Sequence, residues 1–532
     1  MALDRWLLSP DERGNPHTNL DRRHEGHAWT TGNDVCTLVH GATYFAELLR
    51  CVRAMQAGDL LMFTDWRGDP DELLAGPDTE VSSVLCAAAA RGVTVKGLIW
   101  RSHLDRFAFS EQQNRHLGEQ IEAAGGECVR DMRVRTGGSH HQKFVVLRHP
   151  GRPELDVAFA GGIDLCHSRN DDAAHGGDPQ RQPMAAVYGE RPPWHDAQLA
   201  VRGPAVGDIE ACFRERWNDP APVTRNPFNR LADLARHDDD SADPLPDQQP
   251  DPDARGGHAV QVLRTYPWRR RGYPFAPHGE RSVARAYQKV IANAHSLIYI
   301  EDQYFWADEV AGCIADALQA NPQLRLIVVI PRYPDQDGRF SLPPNLVGRS
   351  QALELVDAAG PGRVGVYGIE NHQGTPVYVH AKVCVVDDVW ASVGSDNVNR
   401  RSWTHDSELS CAVIDDELDP REPQVIDRFG DGARRFAREL RLELAREHLD
   451  RAAGQDADLI DPASAFERFR STAAELERWH ERGREGARPP GRLRPYRLEP
   501  LPRRTLLWAT PMYRIVYDPD GRAWGMRRRN AF

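Results

Sequence analysis

The 532-residue chain has no apolar run near the ~18 residues that a membrane span requires. Its start, Met1 to Pro10, carries neither a long apolar stretch nor a small-residue cleavage site, so no secretory leader is expected. Nine cysteines stand singly, at 36, 51, 86, 128, 166, 212, 313, 384 and 411. Such scatter argues against a disulfide framework or a zinc site and for a reducing compartment. Excess positive charge is missing too. Lys+Arg number 67 and Asp+Glu 78, a net −11, which counts against a general polyanion binder and leaves room only for a local basic cleft. There are 21 histidines but no H-E-x-x-H and no Cys/His ligand spacing, so no metal is expected. What is present, 40% hydrophobic and 27% charged residues, fits a globular protein of roughly three to four domain-sized units.

The clearest break in composition is His237 to Gly257, with seven aspartates and four prolines. A stretch this polar cannot bury apolar surface and is expected to be a solvated loop or linker. The Gly and Glu spacing of a calcium loop is absent from it. The chain divides accordingly into 1–236, the linker 237–257, 258–420 and a C-terminal part 421–532.

The first and third parts repeat one pattern. Tyr44, Phe45, Leu48, Leu49, Val52 and Met55 have helical spacing, and Leu60 to Phe63 then reads as a buried strand. Val283, Ala286, Tyr287, Val290, Ile291 and Ala294 match the helix, and Leu297 to Ile300 the strand. Second strands are expected at Val93–Trp100 and Leu324–Ile330. Each is followed by a helical segment, a Gly turn and a short strand near Val129 or Val364. Next comes His141-Gln142-Lys143 before Phe144 to Leu147, and His380-Ala381-Lys382 before Val383 to Val386. Strands alternating with helices indicate α/β layers in each half. Beyond residue 420 the pattern changes. Ala433, Phe436, Ala437, Leu440 and Leu444 mark an amphipathic helix, and Tyr513 to Trp524 reads as a hairpin turning at Asp518 to Gly521.

Residues i and i+2 of a strand share a face, so each histidine projects with its lysine. An imidazole can act as nucleophile or general acid, and an ammonium can hold a phosphoryl oxygen. One His-x-Lys is common by chance; two at matching places of a repeat are not. The second continues through Asp387 to Gly394-Ser395-Asp396-Asn397, the string H-x-K-x4-D-x6-G-S-x-N. In this the chain resembles the phospholipase D superfamily, whose members carry two such motifs. Gly161-Gly162-Ile163-Asp164, Trp194-His195-Asp196, Arg216-Trp217-Asn218, Ile300-Glu301-Asp302-Gln303-Tyr304-Phe305 and Glu447-His448-Leu449 extend the likeness over about residues 36–450. It is closer to the phospholipases proper than to the nucleases.

The resemblance implies an α/β fold of two similar halves, mixed sheets flanked by helices, related by a pseudo-twofold with the active site between them. It implies His141 as nucleophile and His380 as general acid/base, with Lys143, Lys382 and Asn397 on the phosphoryl oxygens. It places a carboxylate behind each histidine, Asp196 and Glu408, to fix its tautomer. Asp164, Ser395, Gln303, Tyr304 and His195 are candidate substrate contacts; His195 reads equally well as a satisfied structural histidine. There are two departures. Arg148 stands where the first motif usually has aspartate, with Asp156 a candidate substitute, and Asp164 stands in the place of asparagine, protonated or engaged with a lysine. His140 is expected to pack. Ser395 and Ser410 lack a G-x-S-x-G context and are not nucleophiles.

Trp268-Arg269-Arg270-Arg271-Gly272-Tyr273-Pro274-Phe275 reads either as a lip for lipid headgroups or as a loop of Arg–Asp pairs, and the Arg-rich tail as a membrane contact or a solvated end. The expected activity is hydrolysis of a glycerophospholipid to phosphatidic acid and a head-group alcohol, with transfer to other alcohols, and no cofactor. The alternatives are a cardiolipin synthase-like phosphatidyltransferase, a nuclease and a non-catalytic lipid-binding protein. No nucleic-acid partner is expected. A monomer is expected, in the cytoplasm with peripheral membrane contact.

Overall fold

A computed structural model describes residues 2–24, 26–102, 111–224, 226, 242–498 and 501–532. The first half contains β1 (Thr30–Val39), α1 (Gly41–Ala54), β2 (Leu60–Asp65), α2 (Val81–Ala90), β3 (Thr94–Trp100), α3 (Glu111–Ala123), β4 (Glu127–Asp131), β5 (Phe144–Arg148), β6 (Val157–Gly161), β7 (Ala197–Arg202) and α4 (Ala205–Trp217). The second repeats it: β8 (His258–Tyr266), α5 (Ser282–Asn293), β9 (Leu297–Glu301), α6 (Asp308–Ala320), β10 (Arg325–Val329), α7 (Leu342–Ala359), β11 (Val364–Glu370), β12 (Val383–Val386), β13 (Trp390–Gly394), β14 (Glu408–Asp415) and α8 (Arg435–His448). The helix α8, grouped by sequence with the C-terminal part, thus takes the place of α4. The helix α9 (Pro462–Glu481) follows.

The strand order is β4-β3-β2-β5-β6-β7-β1 in one sheet and β11-β10-β9-β12-β13-β14-β8 in the other. In each, the first three strands are parallel and the rest antiparallel. The equivalent edge strands β1 and β8 meet antiparallel at Thr30↔Val260 and Asn33↔His258. This joins the two sheets and covers two edges that would otherwise expose unpaired backbone groups.

Burial explains the layering. The α1 face of Tyr44, Phe45, Leu48, Leu49 and Val52 packs with α2 and α3 on one face of the first sheet, each large side chain contributing ~1.5–3 kcal/mol. The helices α5, α6 and α7 cover the second sheet in the same way. The opposite faces of both sheets share one core with α4, α8 and α9. Gly41 opens α1 beneath the Arg169 carbonyl, where a Cβ would sit 1.8 Å from that oxygen.

The tail departs from expectation. Tyr513–Tyr517 is a π-turn continuing a helix over Arg503–Met512, and Trp524–Arg528 is a short helix. No hairpin forms, because Tyr513 is drawn into a pocket of Trp306, Val347 and Ala509 and its hydroxyl donates to Asp518, so helical rather than alternating spacing is satisfied. Residues 242–257 are irregular and mostly exposed; 237–241 of the expected linker lie outside the described residues. No helix among the described residues is long and apolar enough to cross a membrane. All nine cysteines are free.

Candidate active site

Each half brings its histidine to the seam on a segment that runs beside the other half. Residues 139–141 lie along 405–408: Ser407 N donates to Ser139 O, and His141 N to Ser407 O at 2.9 Å. Equivalently, Tyr378 and Val379 pair in parallel with Trp194 and His195, and His380 N donates to His195 O at 2.7 Å. Each imidazole therefore meets a carboxylate of the opposite half. His141 Nδ1 lies 2.9 Å from Glu408 Oε2, and His380 Nδ1 lies 2.7 Å from Asp196 Oδ2. A carboxylate at Nδ1 holds the proton there and directs Nε2 outward as the reactive nitrogen.

The two motifs are close enough to act on one another's charge. Burial, then Lys143 and Lys382, push His141 well below the usual histidine range. Burial, then Lys382, Arg169, Lys143 and His141, do the same to His380. Burial brings Lys382 down to about 8, against the pull of Asp196. Glu408 is pushed up to about 8 by burial and by Asp406. A phosphodiester anion there would offset the lysine charges that, after burial, lower both imidazoles.

Both lysines donate to the carbonyl of their own histidine, Lys143 at 2.7 Å. Lys143 Nζ also stands 3.6 Å from Asp164, whose Oδ1 accepts the N–H groups of Trp66 and Arg67. Of the two readings of Asp164, the structure shows the lysine engagement. Asn397 is buried, with its Oδ1 free of hydrogen-bond partners. The remaining candidates fall outside the centre. The Ser395 hydroxyl donates to Glu408 at 2.6 Å and accepts from Leu409 N, so it braces the carboxylate rather than facing substrate. Gln303 donates to the hydroxyls of Tyr378 and Tyr304, one layer out from His380.

Of its two readings, His195 shows the contacts of the structural one. It is fully buried, and its ring bridges Glu301 at 2.6 Å and Glu447 at 3.2 Å. Glu447 also holds His40 and His175, and Glu301 holds His448. Against the cost of burial, Glu301 and Glu447 raise His195 to about 10. Donor atoms of His40, His175, His195 and Glu447 lie within 4.8 Å of one another, a set that could hold a metal ion. Each of the three histidines meets Glu447, and with Glu301 the cluster ties α8, β9 and the start of α1 to the Trp194–Asp196 segment. His140 packs as expected, its Nδ1 2.6 Å from Ser407 Oγ, and burial lowers it to about 4.

Asp156 does not substitute for the missing motif aspartate. Asp387 accepts the N–H groups of His295, Ser296 and Leu297 at the turn into β9. In the first half that turn is closed by Asp59, which accepts from Gln56 N, and Asp156 instead pairs with Arg148 at 2.9 Å. The strand β5 still pairs regularly with β2 and β6.

Sequence reasoning missed several residues at the site. Arg169 lies over Trp194 at 4.0 Å and 3.7 Å from Asp164. Trp66 stands edge-on to His141, and the ring of Trp194 lies 5.0 Å from that of His380. Asp302 accepts from Tyr304 N and Val398 N and is pushed up to about 8 by burial. Only Trp194 and Asp302 sat in quoted motifs. The lip also resolves unevenly: Trp268, Arg270 and Arg271 are exposed, whereas Arg269 is buried 3.5 Å from Asp219 and from the Tyr273 ring.

Comparison with known proteins agrees with this architecture. A family model described as Phospholipase D matches residues 76–312, and one described as Cardiolipin synthase, PLD-like domain, matches 287–422. The chain is 26% identical over 459 residues to Phospholipase D alpha 1 of Cynara cardunculus, covering 64% of this chain and 56% of that one. It is 25% identical over 542 residues to Phospholipase D1 of Saccharomyces cerevisiae, covering 85% and 31%. The chain thus spans about half the length of the plant relatives and less of the yeast one. Among solved structures, phosphatidylserine synthase of Haemophilus influenzae aligns with a TM-score of 0.49 and 13% identity over 72% of this chain and 82% of that one. The two matched models together span both His-x-Lys pairs, and the chain belongs to the phospholipase D superfamily.

Proposed function

We propose that the protein is a phospholipid phosphodiesterase that works by double displacement at phosphorus. The observation that carries this is the crossed bracing: each His-x-Lys imidazole is held at Nδ1 by a carboxylate of the other half, and both lysines act on both rings. In the first step His141 Nε2 attacks phosphorus. The N–P bond forms, the P–O bond to the head group breaks, and a proton on His380 Nε2 goes to the departing alkoxide. In the second step His380 takes the proton of a water or alcohol, whose oxygen attacks phosphorus and releases His141. Lys143, Lys382 and Asn397 hold the non-bridging oxygens and offset their charge as the trigonal bipyramid forms. Water gives phosphatidic acid; an alcohol gives transfer.

The test is a His380→Ala protein with a phosphatidyl ester of an activated phenol, which needs no acid to leave. Base quenching should recover phosphate bound to His141, with turnover stalled after one equivalent. Absence of label on the protein would sink the covalent scheme, and label on His380 in a His141→Ala protein would reverse the roles. The match of 287–422 to the cardiolipin synthase-like model favours a second reading, phosphatidyl transfer. Product analysis with phosphatidylglycerol or glycerol as acceptor separates it from hydrolysis.

A further inference from the structure

The whole chain is acidic, but residues 501–532 hold seven arginines and two aspartates, a net +5. The helix Arg503–Met512 and the turn Tyr513–Tyr517 are two-sided. Inward, Ala509 and Tyr513 pack on Trp306 and Val347. Outward, Leu507 is 79% exposed, Ile515 72% and Val516 50%, with Pro511 and Met512 beside them. Leu507, Pro511 and Ile515 share one helical face at i, i+4, i+8. Phe340, 71% exposed, adjoins them through its contact with Trp508, and Trp524, equally exposed, lies on the next short helix. Exposed Arg503, Arg504, Arg514 and Arg527 to Arg529 belong to the same segment.

The segment is mounted on the rim of the site. Arg401 donates to Val516 O and Gly137 O and binds Asp406, which in turn holds Ser139, two residues before His141. Arg135 joins the carbonyls of Trp268 and Gly521, so the exposed Trp268–Arg271 loop lies on this side too. Trp306, under the helix, lies against Tyr304 with ring centres 4.1 Å apart. Contiguous large apolar side chains ringed by arginines, on a chain of opposite net charge, suit an interface that is apolar below and anionic at its surface.

We propose that Arg503–Arg529, with Phe340 and Trp268, is the face that seats this protein on an anionic phospholipid surface with the catalytic mouth toward the lipid. The proposal deepens the phosphodiesterase reading and rests on it for its purpose. The test compares sedimentation with vesicles of phosphatidylcholine alone and of phosphatidylcholine with phosphatidylglycerol. The full chain should favour the anionic vesicles, less so as salt rises. Leu507→Glu with Ile515→Glu, and separately Arg503→Glu with Arg504→Glu, should each lower partitioning at least about tenfold. Both should lose cleavage of vesicle lipid in proportion and keep cleavage of a water-soluble phosphodiester, which also reports that they fold. Variants that partition like the parent overturn the proposal. So does a parent dimer that Leu507→Glu with Ile515→Glu converts to monomer without change in vesicle binding, which assigns the face to a second copy. If vesicles bind but no diester of either kind is cleaved, docking stands and the catalytic reading falls; soluble turnover without vesicle binding gives the reverse.

Discussion

The two halves have the same strands in the same order, yet they diverge at both ends of the motif strand. At the far end, β12 delivers Asp387 to three backbone N–H groups, while β5 delivers Arg148 to Asp156 and Glu210. At the near end, Lys143 has Asp164 beside it, whereas the matching position in the second half is the neutral Asn397. The far-end difference shows that the motif aspartate serves the fold. It closes the turn into β9, and a different local solution at Asp59 frees the first half to place an arginine there. The near-end difference makes the two His-x-Lys pairs electrostatically unequal, although the backbone around them is duplicated.

The largest effects should come from the crossed carboxylates. Glu408→Gln and Asp196→Asn should each lower kcat by about 10²–10⁴, since the charge is lost and the amide can turn its NH2 to Nδ1 and select the wrong tautomer. Their pH behaviour should differ. Burial raises folded Glu408 to about 8, against the ordinary carboxylate value of 4.5 in the unfolded chain, so the ionised form that holds the proton on His141 Nδ1 gains as pH rises toward 8. Stability is therefore lost as pH rises between those values. The melting temperature of Glu408→Gln relative to the parent should rise from pH 5 to pH 8. A gap that stays flat would show that this carboxyl is already ionised in the folded protein.

Intermediate effects should come from the far ends, and on stability instead of chemistry. Asp387→Ala strands three N–H groups at the turn, that of Leu297 buried, and should cost about 1–3 kcal/mol by denaturant unfolding. Arg148→Met leaves Asp156 and Glu210 buried without their partner and should cost about 3–5 kcal/mol. The folded fraction of each should keep the parent kcat. A hundredfold fall in kcat for either would place that end of the strand in the catalytic machinery.

The smallest effect should be at the near end. Asp164→Asn makes the halves more alike, retains the acceptor for the Trp66 and Arg67 N–H groups, and removes negative charge beside Lys143. KM for an anionic diester should fall by up to about fivefold. The pKa seen in kcat/KM for the nucleophile should move down, because Asp164 is one of the charges that raise His141. A rise in KM would mean that Asp164 contacts the substrate directly.

Much of the fold was legible because its buried strands are short apolar runs. Leu60–Phe63, Leu297–Ile300 and the runs after each His-x-Lys reappear as β2, β9, β5 and β12. The strands β1, β6, β7, β8, β13 and β14 were not read. In β8 burial at the seam is satisfied by polar pairing, Gln261 on the Leu8 backbone and Arg264 on Glu280 and Glu215. Polar and charged side chains there mask the apolar signal of a buried strand. The tail hairpin failed for the converse reason, since an alternating run with a turn signal found a helical groove to fill instead of a partner strand.

By itself the sequence determined the two His-x-Lys pairs, their near-constant offset, and the residue types able to attack and protonate at phosphorus, because these depend on local spacing along strands. Only the tertiary structure decided that Glu408 serves His141 and Asp196 serves His380. It likewise turned His195 inward to Glu301 and Glu447, and brought Arg169 to Trp194 and Trp66 to His141. Those pairings join residues that are far apart along the chain. They arise where two sheets meet at β1 and β8, and no periodicity records which side chains a seam will place opposite one another.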